Sequence, residues 1–258
     1  MARKTGNASN SVTSDISVKG DGWELSARVT VPTTPTDASE LLPLARAISD
    51  SIVRETSKVV ERSGEAVSCK ANCGACCRHL VAISEVEARR IGNVVNSMPE
   101  PRKSEILSRF ADARIRLESE GMLERLLDAE KVTGDEYGPL ALAYFQKHIA
   151  CPFLENESCS IYSERPITCR EYLVMSPPEH CSRPEENNVR RVDMPLRVFN
   201  AIARWQSAPA EHFKERWVPL ILAPEWAEQN PAGPPDKSGL ELLKELLHHL
   251  SVKEIATE

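Results

Sequence analysis

The sequence predicts a mostly α-helical protein: an irregular helical domain around a loop-borne cysteine cluster, with a small N-terminal β-hairpin. Apolar residues recur at helical spacing in most segments from residue 39 to residue 250. Eight cysteines, in contrast, fall into two short blocks away from those apolar faces. We therefore expect three parts. They are a disordered N-terminus with a hairpin (1–36), a helical cysteine-cluster domain (37–228), and a Pro-rich linker with a last helix (229–258).

The N-terminal segment predicts disorder followed by a hairpin. Residues 1–14 are polar and rich in turn-forming residues, which is typical of a disordered chain. Ile16 and Val18 then alternate with polar residues, and the alternation resumes over 23–31 after the sequence GDG at 20–22. Two alternating runs around a glycine-containing turn predict a β-hairpin. No helix follows the glycines, so we interpret them as a turn and not as a phosphate-binding loop.

Local signals predict the helices that follow. The first predicted helix covers 39–62, and the second is capped by Ser84 and Glu87 and stopped by Pro99. A third helix has Ile106, Phe110, Ala113 and Leu117 on its inward face and Gly121 at its end, and a short fourth covers 123–127. Further helices are predicted over 138–150, over 193–205 with Asp193 as the cap, and after a last cap at Ser238. The last helix bears Leu240, Leu243, Leu247 and Leu250. This spacing covers less than two heptads, so it favours a docked helix over a dimer zipper.

Charge and hydropathy limit the location and the partners. MARKTGNASNSVTSD has no apolar stretch of the secretory kind, and no run reaches the length of a membrane span, so we expect a cytoplasmic protein without a membrane partner. The net charge is −6, and we find no basic face for nucleic acid. The nearest candidate, VRRVDMPLR with Arg190, Arg191 and Arg197, has acidic neighbours and is typical of a solvated helix start. A protein partner remains unidentified.

The cysteine pattern is the strongest functional signal. CKANCGACC contains Cys69, Cys73, Cys76 and Cys77, and the second block contains Cys151, Cys159 and Cys169 with Cys181 after it. In a reducing compartment, such thiols favour metal binding over disulfides. The surrounding segments are rich in Pro, Asn, Glu and Ser, and loops of this kind let distant sulfurs converge. We predict that all eight cysteines are metal ligands of a zinc or iron site, with an iron–sulfur cluster left open because all-sulfur sets suit both.

The spacing within the first block predicts how the ligands divide. Cys69, Cys73 and Cys76 can form one compact chelate, completed by sulfurs of the second block across a helical insert of about 70 residues. Adjacent side chains diverge on a helix or a strand, so Cys77 is expected at a second centre, in a multinuclear cluster, or as a free thiol beside Cys76. His79, His148 and His180 lie near the cysteines in the sequence and are interpreted as surface or supporting groups.

Thiolates around a divalent ion leave negative charge that needs cations or donors nearby. Arg78, Arg165 and Arg170 stand beside the cysteines. We predict that Arg165 and Arg170 support the metal ligands from outside the coordination sphere and that Arg78 is a surface charge.

These motifs resemble those of a known family. C-x-x-x-C-x-x-C-C at 69–77, ISEVEARRI after it, and CPFL, CSIY, ERP and CREY in the second block resemble the YkgJ-like cysteine cluster proteins, described as zinc- or iron-chelating domains. The resemblance covers roughly residues 69–172. It implies a small, mainly helical metal-chelating domain whose biochemical role is undefined. A similar cluster domain occurs in flagellin lysine methylases, which implies protein methyl transfer as an alternative.

The leading interpretation is a metal-binding protein whose metal is at least partly structural, and two other functions remain as alternatives. The first is an iron–sulfur enzyme in redox or S-adenosylmethionine-dependent methyl transfer. However, Ala75 stands where radical enzymes of that type usually have an aromatic residue, and the sequence shows neither alternating βα units nor a Gly-rich strand-to-helix turn. The second is a zinc-stabilised adaptor that acts through the hairpin or the last helix. No catalytic residue is identified.

Overall fold

A computed structural model describes residues 10–183, 188–205 and 216–251. Disorder predicted over residues 1–9 lies outside the described residues. The predicted hairpin is confirmed: β1 (Ser11–Gly20) pairs antiparallel with β2 (Trp23–Pro32). Disorder predicted up to residue 14 is wrong from Ser11 onward. Polar cross-strand pairs extend the ladder there, as between the Thr13 and Thr30 hydroxyls, 2.9 Å apart.

The rest of the described fold is mostly helical, as predicted. The longer elements are α1 (Leu42–Arg62), preceded by a 3-10 turn over Ala38–Leu41, then α2 (Glu85–Asn96), α3 (Arg102–Ser119), α5 (Gly134–Phe145) and α10 (Gly239–Ser251). The shorter helices are α4 (Leu123–Leu127), α6 (Ile167–Glu171), α7 (Pro178–Ser182), α8 (Val198–Ala203) and α9 (Ala223–Gln229). Two antiparallel pairs of two-residue strands complete it: β3 (Ala82–Ile83) with β6 (Val218–Pro219), and β4 (Leu154–Glu155) with β5 (Ser158–Cys159). Among the described helices, none is both long and apolar enough to cross a membrane.

Helices whose start signals are local lie where they were predicted. The Ser84 hydroxyl accepts from the Glu87 amide, and the Glu87 carboxylate accepts from the Ser84 amide, which forms the predicted capping box of α2. The four residues expected to face inward on α3 are its buried residues. Ser238 likewise accepts from the Glu241 amide before α10.

Two predicted helices begin or end elsewhere. α5 begins at Gly134 and not at residue 138, because Thr133 and Glu136 form a capping box that the prediction overlooked. The helix predicted after Asp193 begins only at Val198, because its first amides donate to the carboxylate of Glu171, on α6. The preceding residues are extended, and the amide of Val192 donates to the carbonyl of Leu173 at 2.9 Å.

Three clusters of buried side chains form the core and meet at the second cysteine block. The first joins the hairpin, α1, α8 and α10 and includes Ile167. The second includes Ile149, and the third includes Phe153 and Ile161. Described side chains from all three predicted parts of the chain contribute to the first cluster. Because residues 149–167 reach every cluster, packing fixes the backbone that bears the cysteines.

Candidate metal centre

The first cysteine block folds into consecutive tight turns. The amide of Cys73 donates to the carbonyl of Lys70 at 3.3 Å, that of Cys77 to Gly74 at 2.9 Å, and that of His79 to Cys76 at 3.0 Å. Asn72 takes the left-handed conformation, with φ of 65°, which asparagine tolerates better than most residues. The turns place four thiols within nine residues of chain.

Backbone contacts bring the two blocks together. The amide of Cys151 donates to the carbonyl of Cys77 at 2.7 Å. In the middle of the first block, the side-chain oxygen of Asn72 accepts from the Ser158 hydroxyl at 3.1 Å. At its start, the amide of Ser68 donates to the carbonyl of Val174 at 2.8 Å. The blocks therefore lie side by side along their length, as the sequence analysis expects for a shared site.

Gly74 allows the closest approach. The strands β4 and β5 are joined by Asn156 and Glu157, both with positive φ (48° and 55°), and this turn faces Gly74. A Cβ atom at position 74 would lie 2.6 Å from the Glu157 carbonyl oxygen and 2.6 Å from Leu154 Cδ1. No side chain fits in that space, so the glycine is required by the contact between the blocks.

The second block is less loop-like than predicted. Cys159 belongs to β5, Cys169 to α6 and Cys181 to α7, and only Cys151 lies outside a regular element. The expectation that all these cysteines lie in loops is therefore wrong for three of them. The elements are only two to five residues long, too short to show a periodic pattern in the sequence.

One cavity collects sulfurs from both blocks. It has a volume of about 910 Å³, and its walls include six cysteines: Cys73, Cys76, Cys77, Cys151, Cys159 and Cys169. Cys69 and Cys181 are not among the residues that line the cavity. The Cys69 sulfur accepts from the Val174 amide at 3.3 Å, and Cys181 is buried, with 4% of its surface exposed. All eight cysteines are free thiols.

The thiols influence one another electrostatically, which shows which ones are neighbours. Burial raises the pKa of Cys181 to about 12, with further contributions from Cys76, Cys69 and Cys73. Burial also raises the pKa of Cys169, and Cys76, Cys151 and Cys159 add to that rise. The cysteines thus form two neighbouring groups. One group contains Cys69, Cys73 and Cys181, the other contains Cys77, Cys151, Cys159 and Cys169, and Cys76 interacts with members of both.

Cys76 and Cys77 affect each other's titration. The neighbouring Cys77 thiol, together with the charge of Arg165, lowers the pKa of Cys76 to about 7. The Cys76 thiol, together with burial, raises the pKa of Cys77. Both residues lie in turns, to which the divergence expected on a helix or a strand does not apply. The role of Cys77 as a ligand stays a prediction.

Arg165 is the cation at the sulfur wall. It lines the cavity, its charge helps to lower the pKa of Cys76, and it opposes the rise that burial causes in the pKa of Cys159. Its guanidinium carbon lies 5.0 Å from the centre of the Tyr162 ring, while its Nε atom is buried and has no hydrogen-bond partner among the described residues. A buried donor without a partner is costly, and a thiolate or another anion in the cavity would satisfy it.

The other arginines beside the cysteines have partners. Arg170 donates to both Asp50 carboxylate oxygens at 2.9 Å and to the carbonyls of Arg165 and Ser163 at 2.8 Å. It thereby fixes the turn that carries Arg165, and its supporting role at the metal stays a prediction. Arg78 pairs with Glu157 at 2.6 Å across the two blocks. Arg78 is therefore more than the surface charge we expected.

Two of the three histidines are held by backbone carbonyls, and the third is exposed. The Nε2 atom of His79 lies 2.9 Å from the carbonyl oxygen of Cys181, and its ring packs edge-on against Phe145 and Tyr172. Burial lowers the pKa of His79, which favours the neutral ring. His180 Nδ1 lies 2.7 Å from the Asn188 carbonyl oxygen, and His148 is exposed.

The donors fit a soft metal ion by their chemistry. Thiolates are the preferred ligands of zinc and of iron–sulfur centres, and an unpartnered arginine stands beside them. Within the described ranges, no three His, Cys, Asp or Glu side chains are already arranged as a ligand set. Binding therefore requires the thiols to reorient, which a cysteine side chain can do by rotating about its single χ1 bond.

Two arginines line the cavity although the sequence analysis did not predict it: Arg191 and Arg197, whose segment was interpreted as a solvated helix start. That interpretation holds for Arg197, which is exposed and is the N-cap of α8, whereas Arg191 lies in the extended segment before the helix. The signal that could have shown it is a period of two: Val192 and Met194 are buried, whereas Arg191 is exposed on the other side of an extended segment.

Comparison with protein-family models matches residues 68–192 to the family CxxCxxCC, described as "Putative zinc- or iron-chelating domain". No curated protein and no solved structure matches the chain. The matched segment contains all eight cysteines, together with Arg165 and Arg191. Residues 68–192, which are 125 of the 258 residues, are thus similar to the CxxCxxCC family of zinc- or iron-chelating domains.

Proposed function

We propose that this domain binds zinc or iron through thiolates of both cysteine blocks and that the metal is at least partly structural. The main support is that cysteines of both blocks line one cavity beside the unpartnered Nε atom of Arg165. The blocks are far apart in sequence, so a metal that joins them offsets a loop-closure cost that grows only slowly with length.

We further propose two centres of four thiolates each. One is formed by Cys69, Cys73, Cys76 and Cys181, and the other by Cys77, Cys151, Cys159 and Cys169. This division follows the two neighbouring groups of thiols and assigns every cysteine to a tetrahedral set. The contact between Cys76 and Cys77 would then be the boundary between the centres.

An iron–sulfur cluster is the second candidate. Six thiols line one cavity, which is more than a single tetrahedral ion uses, and this favours a polynuclear centre as much as two separate ions. Such a cluster would permit redox chemistry or methyl transfer.

All eight thiols are unpaired, which suits a reducing compartment, and we propose a cytoplasmic location on that ground.

Purification without oxygen, followed by measurement of metal content, acid-labile sulfide and visible absorbance, tests the proposal. Two equivalents of zinc per chain without colour or sulfide would support separate structural ions. Visible thiolate-to-iron bands together with sulfide would support the cluster. A purified, folded chain that retains no metal and takes up neither zinc nor ferrous iron would refute metal binding.

Single substitutions test the division into two centres. We expect Cys181→Ser and Cys159→Ser each to lower the metal content by about one ion per chain, because each removes one of four ligands. Ser182→Ala and Ser160→Ala are matched controls at exposed neighbouring positions and should retain both ions. If Cys181→Ser retains the full content while Cys159→Ser loses all of it, Cys181 is not a ligand and the division is wrong.

Metal removal should also destabilise the fold. Chelation, or Cys73→Ser, is expected to lower the thermal midpoint and to open the segment 69–181 to proteolysis, because metal binding is then part of the folding free energy. The midpoint and the proteolytic fragments are compared before and after confirmed metal loss. Identical melting and identical fragments would show that the metal is not structural.

A further inference from the structure

The cavity extends well beyond the thiols. Besides the cysteines, its lining includes an aromatic wall formed by Tyr137, Phe145, Phe199 and Trp217. The volume of about 910 Å³ falls within the roughly 300–1,000 Å³ typical of small-molecule sites and far exceeds the space that one metal ion needs. The aromatic wall is rigid, since the rings of Tyr137 and Trp217 pack edge to face with centroids 5.4 Å apart.

Arg191 and Arg197 line the same cavity, and the charge of Arg197 also acts on Glu171, where it opposes the rise that burial causes in the pKa of that carboxyl. No carboxylate of the described residues forms an ion pair with Arg191 or Arg197, and neither guanidinium has a hydrogen-bond partner there. The cavity-lining residues within the described ranges include these two and Arg165 but no aspartate or glutamate. In a chain with a net charge of −6, a cavity whose Lys, Arg, Asp and Glu residues within the described ranges are all arginines is a distinct feature.

The arginines act at different places. The charge of Arg165 bears on the cysteines, whereas that of Arg191 bears on His79, Tyr137 and Tyr172. Arg191 therefore lies by the aromatic wall, and compensation of thiolate charge falls mainly to Arg165. Arg197 immediately precedes α8, whose residue Phe199 is part of the aromatic wall.

From this arrangement we infer that the cavity binds a small organic anion with a flat apolar body, its carboxylate or phosphate group held by Arg191 and Arg197. Guanidinium groups bind such anions through paired, charge-assisted hydrogen bonds, and aromatic faces favour a flat apolar ligand. The amide side chain of Asn200 also lines the cavity and can supply a further donor. This site goes beyond the proposed metal centre, because its residues are not the metal ligands.

Two exposed hydrophobic residues of the lining support an apolar ligand. Leu142 and Tyr162 line the cavity and have 49% and 47% of their surface exposed. Exposed apolar side chains around a concave site are a common feature of binding sites.

The test uses naphthalene-2-carboxylate as the probe and measures its binding to the metal-containing protein by isothermal titration calorimetry. Naphthalene-2-methanol has the same body without the charge, and inorganic phosphate has the charge without the body. We expect the carboxylate to bind more tightly than either. Arg191→Gln and Arg197→Gln should each weaken it about tenfold, the effect of one lost charge-assisted hydrogen bond. Arg54→Gln, on the exposed surface of α1, is the matched control and should leave binding unchanged.

Metal content is measured on each protein sample, so that the two proposals can fail separately. Full metal content without carboxylate binding at millimolar concentration, or with binding that neither arginine substitution weakens, would overturn the anion site and leave the metal centre standing. Equal binding of the carboxylate and the alcohol would also overturn it. Arginine-dependent binding in a chain without metal would support the anion site and count against the metal centre.

Discussion

Replacement of Gly74 by alanine tests the contact between the two cysteine blocks. The added methyl group would lie 2.6 Å from the Glu157 carbonyl oxygen and 2.7 Å from the Glu157 carbonyl carbon, far inside van der Waals contact. These atoms belong to backbone, and they lie in a two-residue turn held in a left-handed conformation, so they cannot move as a flexible side chain could. The blocks must therefore separate, at a cost of about 1–3 kcal/mol in unfolding free energy, as for overpacked cores.

Gly134→Ala is the matched control for this substitution. Gly134 is the first residue of α5, its φ is not positive, and a Cβ atom there would meet no atom within 4 Å outside its chain neighbours and its own helix backbone. Alanine restricts the unfolded chain more than glycine does, so this variant should gain about 0.4–1 kcal/mol. The same chemical change is thus expected to have opposite signs at the two positions.

Urea unfolding followed by circular dichroism measures both effects, and a competing chelator measures the metal affinity of each folded variant. We expect Gly74→Ala to reduce the metal affinity as well as the stability, since it moves one set of thiols from the other. Should Gly74→Ala unfold at the same urea concentration as the parent protein and hold its metal equally well, the contact at Gly74 would not determine the approach of the blocks.

Two further substitutions test charged contacts that support the site. Glu171→Ala should lower the unfolding free energy by about 1–3 kcal/mol, because the buried amide of Val198 loses its acceptor, and an unchanged urea midpoint would contradict this. Glu164 is paired with Arg90 and Arg46, and these bonds, chiefly that of Arg90, lower its pKa to about 2. A lowered pKa stabilises the fold above the ordinary pKa near 4.5 and ceases to do so as the pH falls toward 2. Allowing for the solvent around Arg90, we expect Glu164→Gln to cost about 1–2 kcal/mol at pH 7 and progressively less between pH 4.5 and 2. A cost that is the same at pH 6 and pH 3 would refute the role of the ionised carboxylate.

Local signals explain why much of the helical fold could be predicted. The capping box of Ser84 and Glu87 and the inward face of α3 involve residues three or four positions apart, and a sequence displays such relations directly. The start of α8 could not be predicted in this way. Its cap is the Glu171 carboxylate, 27 residues before Val198, and no local pattern indicates that pairing.

At the candidate site, too, some features could be predicted from the sequence and others depend on contacts between distant residues. The similar chemistry of the two cysteine blocks predicted that they meet, and the bond between Cys151 and Cys77 shows that they do. Which thiols are neighbours could not be predicted, because the short elements that carry Cys159 and Cys169 are positioned by the core and not by their own sequence. The position of Arg191 in the cavity lining could not be predicted for a related reason. From the sequence, Arg191 resembles any exposed surface charge, because the other residues that line the cavity are distant in the chain.

The position of Glu171 has a consequence for the coupling between the cysteines and the arginines of the cavity. Glu171 lies two residues after Cys169 on α6, it accepts the first amides of α8, and the residue just before α8 is Arg197. A shift of α6 on metal binding would therefore be passed through the buried Glu171 side chain to the start of α8 and would move Arg197. Linkage requires such an effect to be reciprocal, so an anion that prefers the metal-bound arrangement must tighten metal binding by the same factor as the metal tightens anion binding. Zinc titrations in the presence and absence of naphthalene-2-carboxylate would measure this coupling.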